Sequence, residues 1–208
     1  MLESTKILLL GRTASGKDTI AGKLRELYGF TQVLSYTTRP RREGEGNTHT
    51  FIAPEEAGSY TDRVAETKIG DIEYFATRQQ VFENDIYIID PPGAYELLRK
   101  MSETDFLVVY VEAPDELRKS RFMSREKNNT KIFFEDRNKA ENERFSEFEK
   151  CLDNRDDLYS EYPNIAGLYI AKNDDTRKLN DICSEIKLLK DILDQRQPEL
   201  EENDNALS

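Results

Sequence analysis

No stretch of this chain stays apolar for long. The run Ile-Leu-Leu-Leu at 7–10 falls far short of the roughly 20 residues a membrane-spanning helix needs. It is also too short for the apolar segment of a secretory leader, so a cytoplasmic location without membrane partners is expected. Cysteine is scarce. Cys151 and Cys183 stand far apart in no metal-ligand spacing, which reads as a reducing compartment and two plain structural side chains. Positive charge is short as well: 30 Lys and Arg face 41 Asp and Glu, a net charge of −11. Nucleic-acid binding would need a basic patch, so nucleic acid is not an expected partner. A small anion gripped by a few local arginines stays open. The sequence shows no internal repeat, and the stretch 195–208 has little apolar content and reads as a disordered acidic tail.

What is present is concentrated near the start. Lys6-Ile-Leu-Leu-Leu10 runs straight into Gly11-Arg12-Thr13-Ala14-Ser15-Gly16-Lys17-Asp18-Thr19. The order predicts a buried strand, a glycine-flanked loop and a helix start, the context in which G-x-x-x-x-G-K binds a phosphate chain. The glycines permit a tight turn whose amides face phosphate oxygens, and the helix adds its positive end. Lys17 supplies a mobile charge for the terminal phosphates of ATP. Asp18 stands where the pattern usually has Ser or Thr. It offers a hard oxygen ligand for Mg²⁺, or its charge repels the triphosphate. Thr19 projects about 100° further round the helix and is no simple substitute.

Along the rest of the chain strand and helix patterns alternate, which predicts an α/β fold with a mostly parallel sheet between helices. Strands are expected at 33–36, 86–90, 105–111 and 165–171. Helices are expected over 17–28, 54–57, 77–83, 115–126, 133–159 and 176–193. Extended chain at 48–52 and a hairpin about Gly70-Asp71 fill the first third. Pro91-Pro92-Gly93 reads as a breaker. One domain over 1–194 is expected, with insertions at about 33–81 and 124–137. Small phosphoryl-transfer enzymes need such closing parts to keep water from the γ-phosphate.

The second informative stretch is Ser35-Tyr36-Thr37-Thr38-Arg39-Pro40-Arg41-Arg42-Glu43-Gly44-Glu45. Arginines grip a phosphomonoester bidentately, while the hydroxyls and Glu45 suit a sugar or a base edge. A solvated basic loop is the bland alternative. This stretch resembles the acceptor-binding segment of guanylate kinases, S-x-T-T-R-x-x-R-x-G-E, with Phe51 beyond it. Two such motifs in order imply a three-layer P-loop kinase fold with a monophosphate-binding subdomain, a lid, and ATP and Mg²⁺ as cofactors.

By that resemblance Arg39 and Arg42 would bind the acceptor 5′-phosphate, and Ser35 would face the purine. His49, the lone histidine, replaces a family tyrosine and is either a phosphate donor or structural. Tyr74 would also contact the phosphate. Glu66 is the candidate carboxylate for guanine, one residue off the expected spacing. Asp90 would hold Mg²⁺ through water or merely cap a helix. Arg121, Arg125 and Arg137 would close over the ATP phosphates, and Asn173 would lie beside adenine. The implied reaction is phosphoryl transfer from ATP to GMP or dGMP. Gly16-Lys17-Asp18-Thr19 also resembles the loop of some phage deoxynucleoside monophosphate kinases, so other acceptors stay open. So does a non-catalytic phospho-ligand module of the same fold.

Overall fold

The computed structural model describes residues 4–41, 46–125 and 131–196. Arg42 and Glu45, the middle of the expected lid and most of the expected tail lie outside them. Strand β1 (Lys6–Leu10) is flanked by β6 (Ile86–Ile88) and β7 (Phe106–Glu112), and β8 (Ile165–Lys172) lies outside β7. All three pairings are parallel, in the order β6-β1-β7-β8. Alternation along the strands divides the core into two layers. Leu8, Leu10, Val108 and Tyr110 face α4 (Pro91–Lys100), α6 (Lys131–Asp153) and α7 (Arg155–Glu161). Ile7, Leu9, Leu107 and Val109 face α1 (Lys17–Tyr28) and α8 (Leu179–Arg196). This helix–sheet–helix stack has the three layers and the parallel sheet expected from the sequence. Both faces of the sheet are covered, which is why β1 and β7 read as continuous apolar runs. No helix among the described residues is long and apolar enough to cross a membrane.

A second sheet lies within the stretch expected as an insertion. It comprises β2 (Tyr36–Thr37), β3 (Thr50–Phe51), β4 (Arg63–Ile69) and β5 (Ile72–Thr77), in the order β3-β2-β5-β4. The hairpin β4–β5 turns at Gly70-Asp71, and α2 (Pro54–Ala57) precedes it. The chain leaves and re-enters the central sheet at one place. Asp85 accepts from the Thr31 amide at 2.8 Å and hydroxyl at 2.9 Å, and the Val33 amide donates to the Ile86 carbonyl. Residues 32–33 therefore pair with the central sheet, and the strand expected at 33–36 starts at Tyr36 instead. Helix α3 (Arg78–Glu83) opens on a reciprocal box. Thr77 accepts from the Gln80 amide, and Gln80 accepts from the Thr77 amide, both at 3.2 Å.

Several boundaries differ from the sequence expectation. Pro91-Pro92-Gly93 begins α4 rather than breaking the chain. Asp90 caps it, and prolines cost nothing where the first-turn amides lack helical partners. Ala94, Leu97, Leu98 and Met101 then carry a helical stripe into the core. The helix expected over 133–159 is two, divided at Asn154, whose amide side chain donates to Asp157 at 2.6 Å and leaves φ −124°, ψ 77°. The last helix starts at Leu179, after Asp174 accepts from the Thr176 amide and holds a turn. It runs through Gln195 and Arg196, the two described residues that the sequence assigned to the tail. Helix α5 (Asp115–Arg125) ends one residue earlier than expected.

Candidate functional site

The loop joining β1 to α1 is shaped by two close approaches. A β-carbon on Gly11 would meet the Val111 carbonyl oxygen at 2.5 Å, and one on Gly16 would meet the Asn173 amide nitrogen at 2.2 Å. Both residues have positive φ, +148° and +103°, and only glycine satisfies both demands. Ala14 also adopts left-handed backbone, φ 61°. Its methyl is buried against Phe122 and Phe134, which packs the loop onto α5 and α6. The far side is held by carbonyl contacts. Asn173 donates to the Ser15 carbonyl at 2.7 Å, and Arg118 to the Thr13 carbonyl at 3.2 Å. The Lys17 ammonium curls back to the Gly11 and Arg12 carbonyls. Burial pushes its pKa down to about 8, opposed by Asp18 and Glu141 and assisted by Arg125 and Arg137.

A cavity of about 370 Å³ opens between the two sheets. The second sheet contributes Arg39, His49 and Tyr74, α1 contributes Asp18, α6 contributes Arg137, and the end of β6 leads to Asp90. Ser35 lies on its wall with Tyr87, whose hydroxyl pKa burial pushes up. The His49 and Tyr74 rings meet edge-on, centroids 5.7 Å apart, and the Arg39 guanidinium lies 5.3 Å from the Phe51 ring centre. A second cavity, about 460 Å³, lies where α1 begins. Gly16, Thr19, Arg121, Arg125 and Asn173 line it with Asp175 and Arg177. Arg121 is anchored there by Asp175 at 2.6 Å.

Many of the residues singled out in the sequence thus line one or other of these two cavities, while Gly11, Thr13, Ala14, Ser15 and Lys17 line neither. Arg12 joins neither. Its guanidinium makes a fork of 2.7 Å bonds to Glu149 on α6 and bonds Asn142, lining a different cavity with Tyr110. The Arg12 side chain is a strut between loop and helix. Glu66 borders the inter-sheet cavity, but its carboxylate pairs with Arg63 at 3.2 Å. Arg63 stacks 3.9 Å over Phe75, which is buried outside the cavity, whereas Thr67 faces inward and its hydroxyl donates to Asp90 at 3.4 Å. The inward β4 residues are Ala65, Thr67 and Ile69. A register shift between Arg63 and Ala65 sets that phase.

Asp90 caps a helix and also lines the inter-sheet cavity. Oδ1 accepts from the Gly93 amide at 3.1 Å as the cap of α4, while the carboxylate faces the cavity with Arg144 3.8 Å from Oδ2. Asp18 faces the same cavity from the first turn of α1. Among the described residues no cluster of three His, Cys, Asp or Glu could hold a metal by protein ligands alone. Two carboxylates on a phosphate-sized cavity do fit Mg²⁺, which keeps waters and shares phosphate oxygens. Sequence reasoning missed Glu141 and Arg118. Each meets the loop more than a hundred residues away in sequence, and helical periodicity carries no signal of such a contact.

Comparison with known proteins adds one likeness in fold. No protein-family model matches the chain, and no curated protein matches its sequence. Among solved structures, a guanylate kinase from Anaplasma phagocytophilum superposes with a TM-score of 0.54 at 20% identity. The match covers 96% of this chain and 90% of that one. At that identity the likeness establishes the shared fold, that of a nucleotide kinase, over nearly the whole of both chains.

Proposed function

We propose that this chain is an ATP-dependent nucleoside monophosphate kinase of guanylate kinase type, transferring the γ-phosphate of ATP to GMP or dGMP. One observation carries the reading. The junction of the loop with α1 puts Gly16 and Thr19 on an arginine-rich cavity and Asp18 on a second cavity holding Arg39, His49 and Tyr74. Phosphoryl transfer needs that layout, a donor and an acceptor meeting at one loop. Arg121, Arg125 and Asn173 would bind the donor, with Lys17 and the loop amides on its β- and γ-phosphates. Arg39, with Arg42 beyond the described residues, His49 and Tyr74 would hold the acceptor phosphate in line. Arg137 faces the gap from α6 and would neutralise charge on the transferring group. Asp18 and Asp90 would hold Mg²⁺, which when bound offsets charge on the phosphate oxygens. The acceptor is already an anionic oxygen, so no general base is needed. Catalysis is positioning plus charge neutralisation. The proposed setting is cytoplasmic, with small nucleotides as the partners.

A second reading is favoured by the placement of Glu66. Guanine presents two adjacent donors to its recognition site and is best met by a carboxylate. The Glu66 carboxylate is engaged with Arg63, and Thr67 and Ser35 offer hydroxyls that suit donors or acceptors equally. An acceptor with another base is the alternative. ADP release in a coupled assay with ATP and Mg²⁺, across the ribo- and deoxyribonucleoside monophosphates, separates the two. Dependence on GMP or dGMP supports the first reading, and preference for another base supports the second. No transfer to any acceptor by folded protein overturns both and leaves a phospho-ligand binding module.

A further inference from the structure

The phosphate loop carries an unexpected neighbour. Both carboxylate oxygens of Glu141, on α6, lie 3.0 Å from the Thr13 amide, and the Thr13 hydroxyl donates to Oε1. The Glu141 side chain is only 13% exposed. An acid beside a triphosphate site is a cost, since it repels the ligand the loop exists to bind. Its surroundings show what offsets that cost. Arg118, 1% exposed, lies 3.7 Å from Glu141, donates to the Thr13 carbonyl at 3.2 Å, and reaches Asn138 on α6 at 2.6 Å and Asp115 on α5 at 2.7 Å. Arg118 also lies 5.6 Å from the Phe134 ring centre, and Phe134 packs on Ala14. One buried knot therefore joins the loop to both helices.

The same two helices carry the arginines that face the cavities. Arg121 and Arg125 follow Arg118 at one and two turns along α5. Arg137 precedes Glu141 by one turn on α6, so the two project from the same face of the helix. We propose that Glu141 is a positioning residue, a carboxylate clamp that fixes the phosphate loop to α5 and α6 and thereby sets Arg121, Arg125 and Arg137 against the donor phosphates. The clamp is a property of the donor site. Its catalytic readout rests on the kinase reading, and its binding readout does not.

The test compares Glu141→Ala and Glu141→Gln with wild type. Binding of a ribose-labelled fluorescent ATP analogue with Mg²⁺ is measured first, and transfer kinetics second. Glutamine keeps an oxygen for Thr13, so binding and kcat should stay within about threefold of wild type. Alanine should weaken analogue binding at least about tenfold and lower kcat at least about tenfold, because small misplacements of positioning groups cost that much. The acceptor KM should not move in either variant, which a general loss of structure would not produce. Alanine binding as tight as wild type, or tighter, overturns the proposal, since Glu141 would then be a passive neighbour or a competitor of phosphate. If Glu141→Ala fails to fold, Glu141→Asp replaces it. The shortened side chain should weaken binding in the same direction, and wild-type behaviour would overturn the clamp. Wild-type protein that binds the analogue but phosphorylates no acceptor would end the kinase reading, with the clamp still judged on binding alone.

Discussion

The cavity at the start of α1 and the cavity between the sheets share one loop but differ in charge. The first sets Arg121, Arg125 and Arg177 against the single carboxylate of Asp175. The second sets Arg39, Arg137 and His49 against Asp18, Glu66 and Asp90. A chain with net charge −11 thus concentrates unbalanced positive charge at one place and mixes the signs at the other. The difference suits the proposed ligands. A triphosphate tail asks for cations along its length, whereas a monophosphate nucleotide asks for cations at one end and hydrogen-bond acceptors at the other. Mixed charge also gives Mg²⁺ its carboxylates on the side where the two nucleotides would meet.

The sharpest way to break this comparison is to remove the lysine that stands in sequence between Gly16 of one cavity and Asp18 of the other. Lys17→Met should lower transfer by at least about 10³-fold while leaving the circular dichroism spectrum unchanged, as expected for a charge aimed at the transferring phosphate. Retained activity would mean that the loop is not where the cavities meet. Next in size is a mirrored pair. Arg39→Ala should raise the acceptor KM about 10- to 100-fold and leave the ATP KM nearly fixed, and Arg125→Ala should do the reverse. Crossed or equal effects would dissolve the assignment of one cavity to each nucleotide. Gly16→Ala drives a methyl into Asn173 and strains positive φ. Thermal unfolding should register roughly 1–3 kcal/mol of lost stability.

Two smaller effects sharpen the picture. The Lys17 pKa is lowered to about 8, so in the free protein its ammonium is lost as pH rises through that value. A pH profile of kcat/KM for ATP should fall above about pH 8 and stay flat just below it. A plateau to pH 10 would show that Lys17 keeps its proton. The smallest effect belongs to Glu66→Gln, whose carboxylate is spoken for by Arg63. The ratio of kcat/KM for GMP over AMP should change less than about threefold. A collapse of that ratio would put the carboxylate on the base after all.

How much of this was legible depended on distance along the chain. The phosphate loop, β1 and the parallel sheet were readable because each rests on neighbouring residues: apolar runs, glycine spacing, strand before helix. The start of α4 was equally local, but Pro91-Pro92-Gly93 masked the stripe of Ala94, Leu97, Leu98 and Met101 behind it. Thr67 could not be preferred over Glu66, because a single register shift at Arg63/Ala65 reverses which residues face inward. Arg12 looked like a loop residue aimed at phosphate, and its partner Glu149 lies 137 positions away. Residue type indicated which chemistry was present, and tertiary contacts assigned it to places.

The seam where Thr31 meets Asp85 has a consequence for descent as well as for structure. The ends of the intervening segment are tied together across a separation of 54 residues, and Val64, Ala65 and Ala76 within it share one core with Leu8 and Leu10 of β1. Arg39, His49, Thr67 and Tyr74 all fall between those ends and line the inter-sheet cavity. Under the proposed function, a lineage built this way changes its acceptor by editing the cavity positions of one closed excursion of the chain, while the core positions of that excursion hold it to the central sheet.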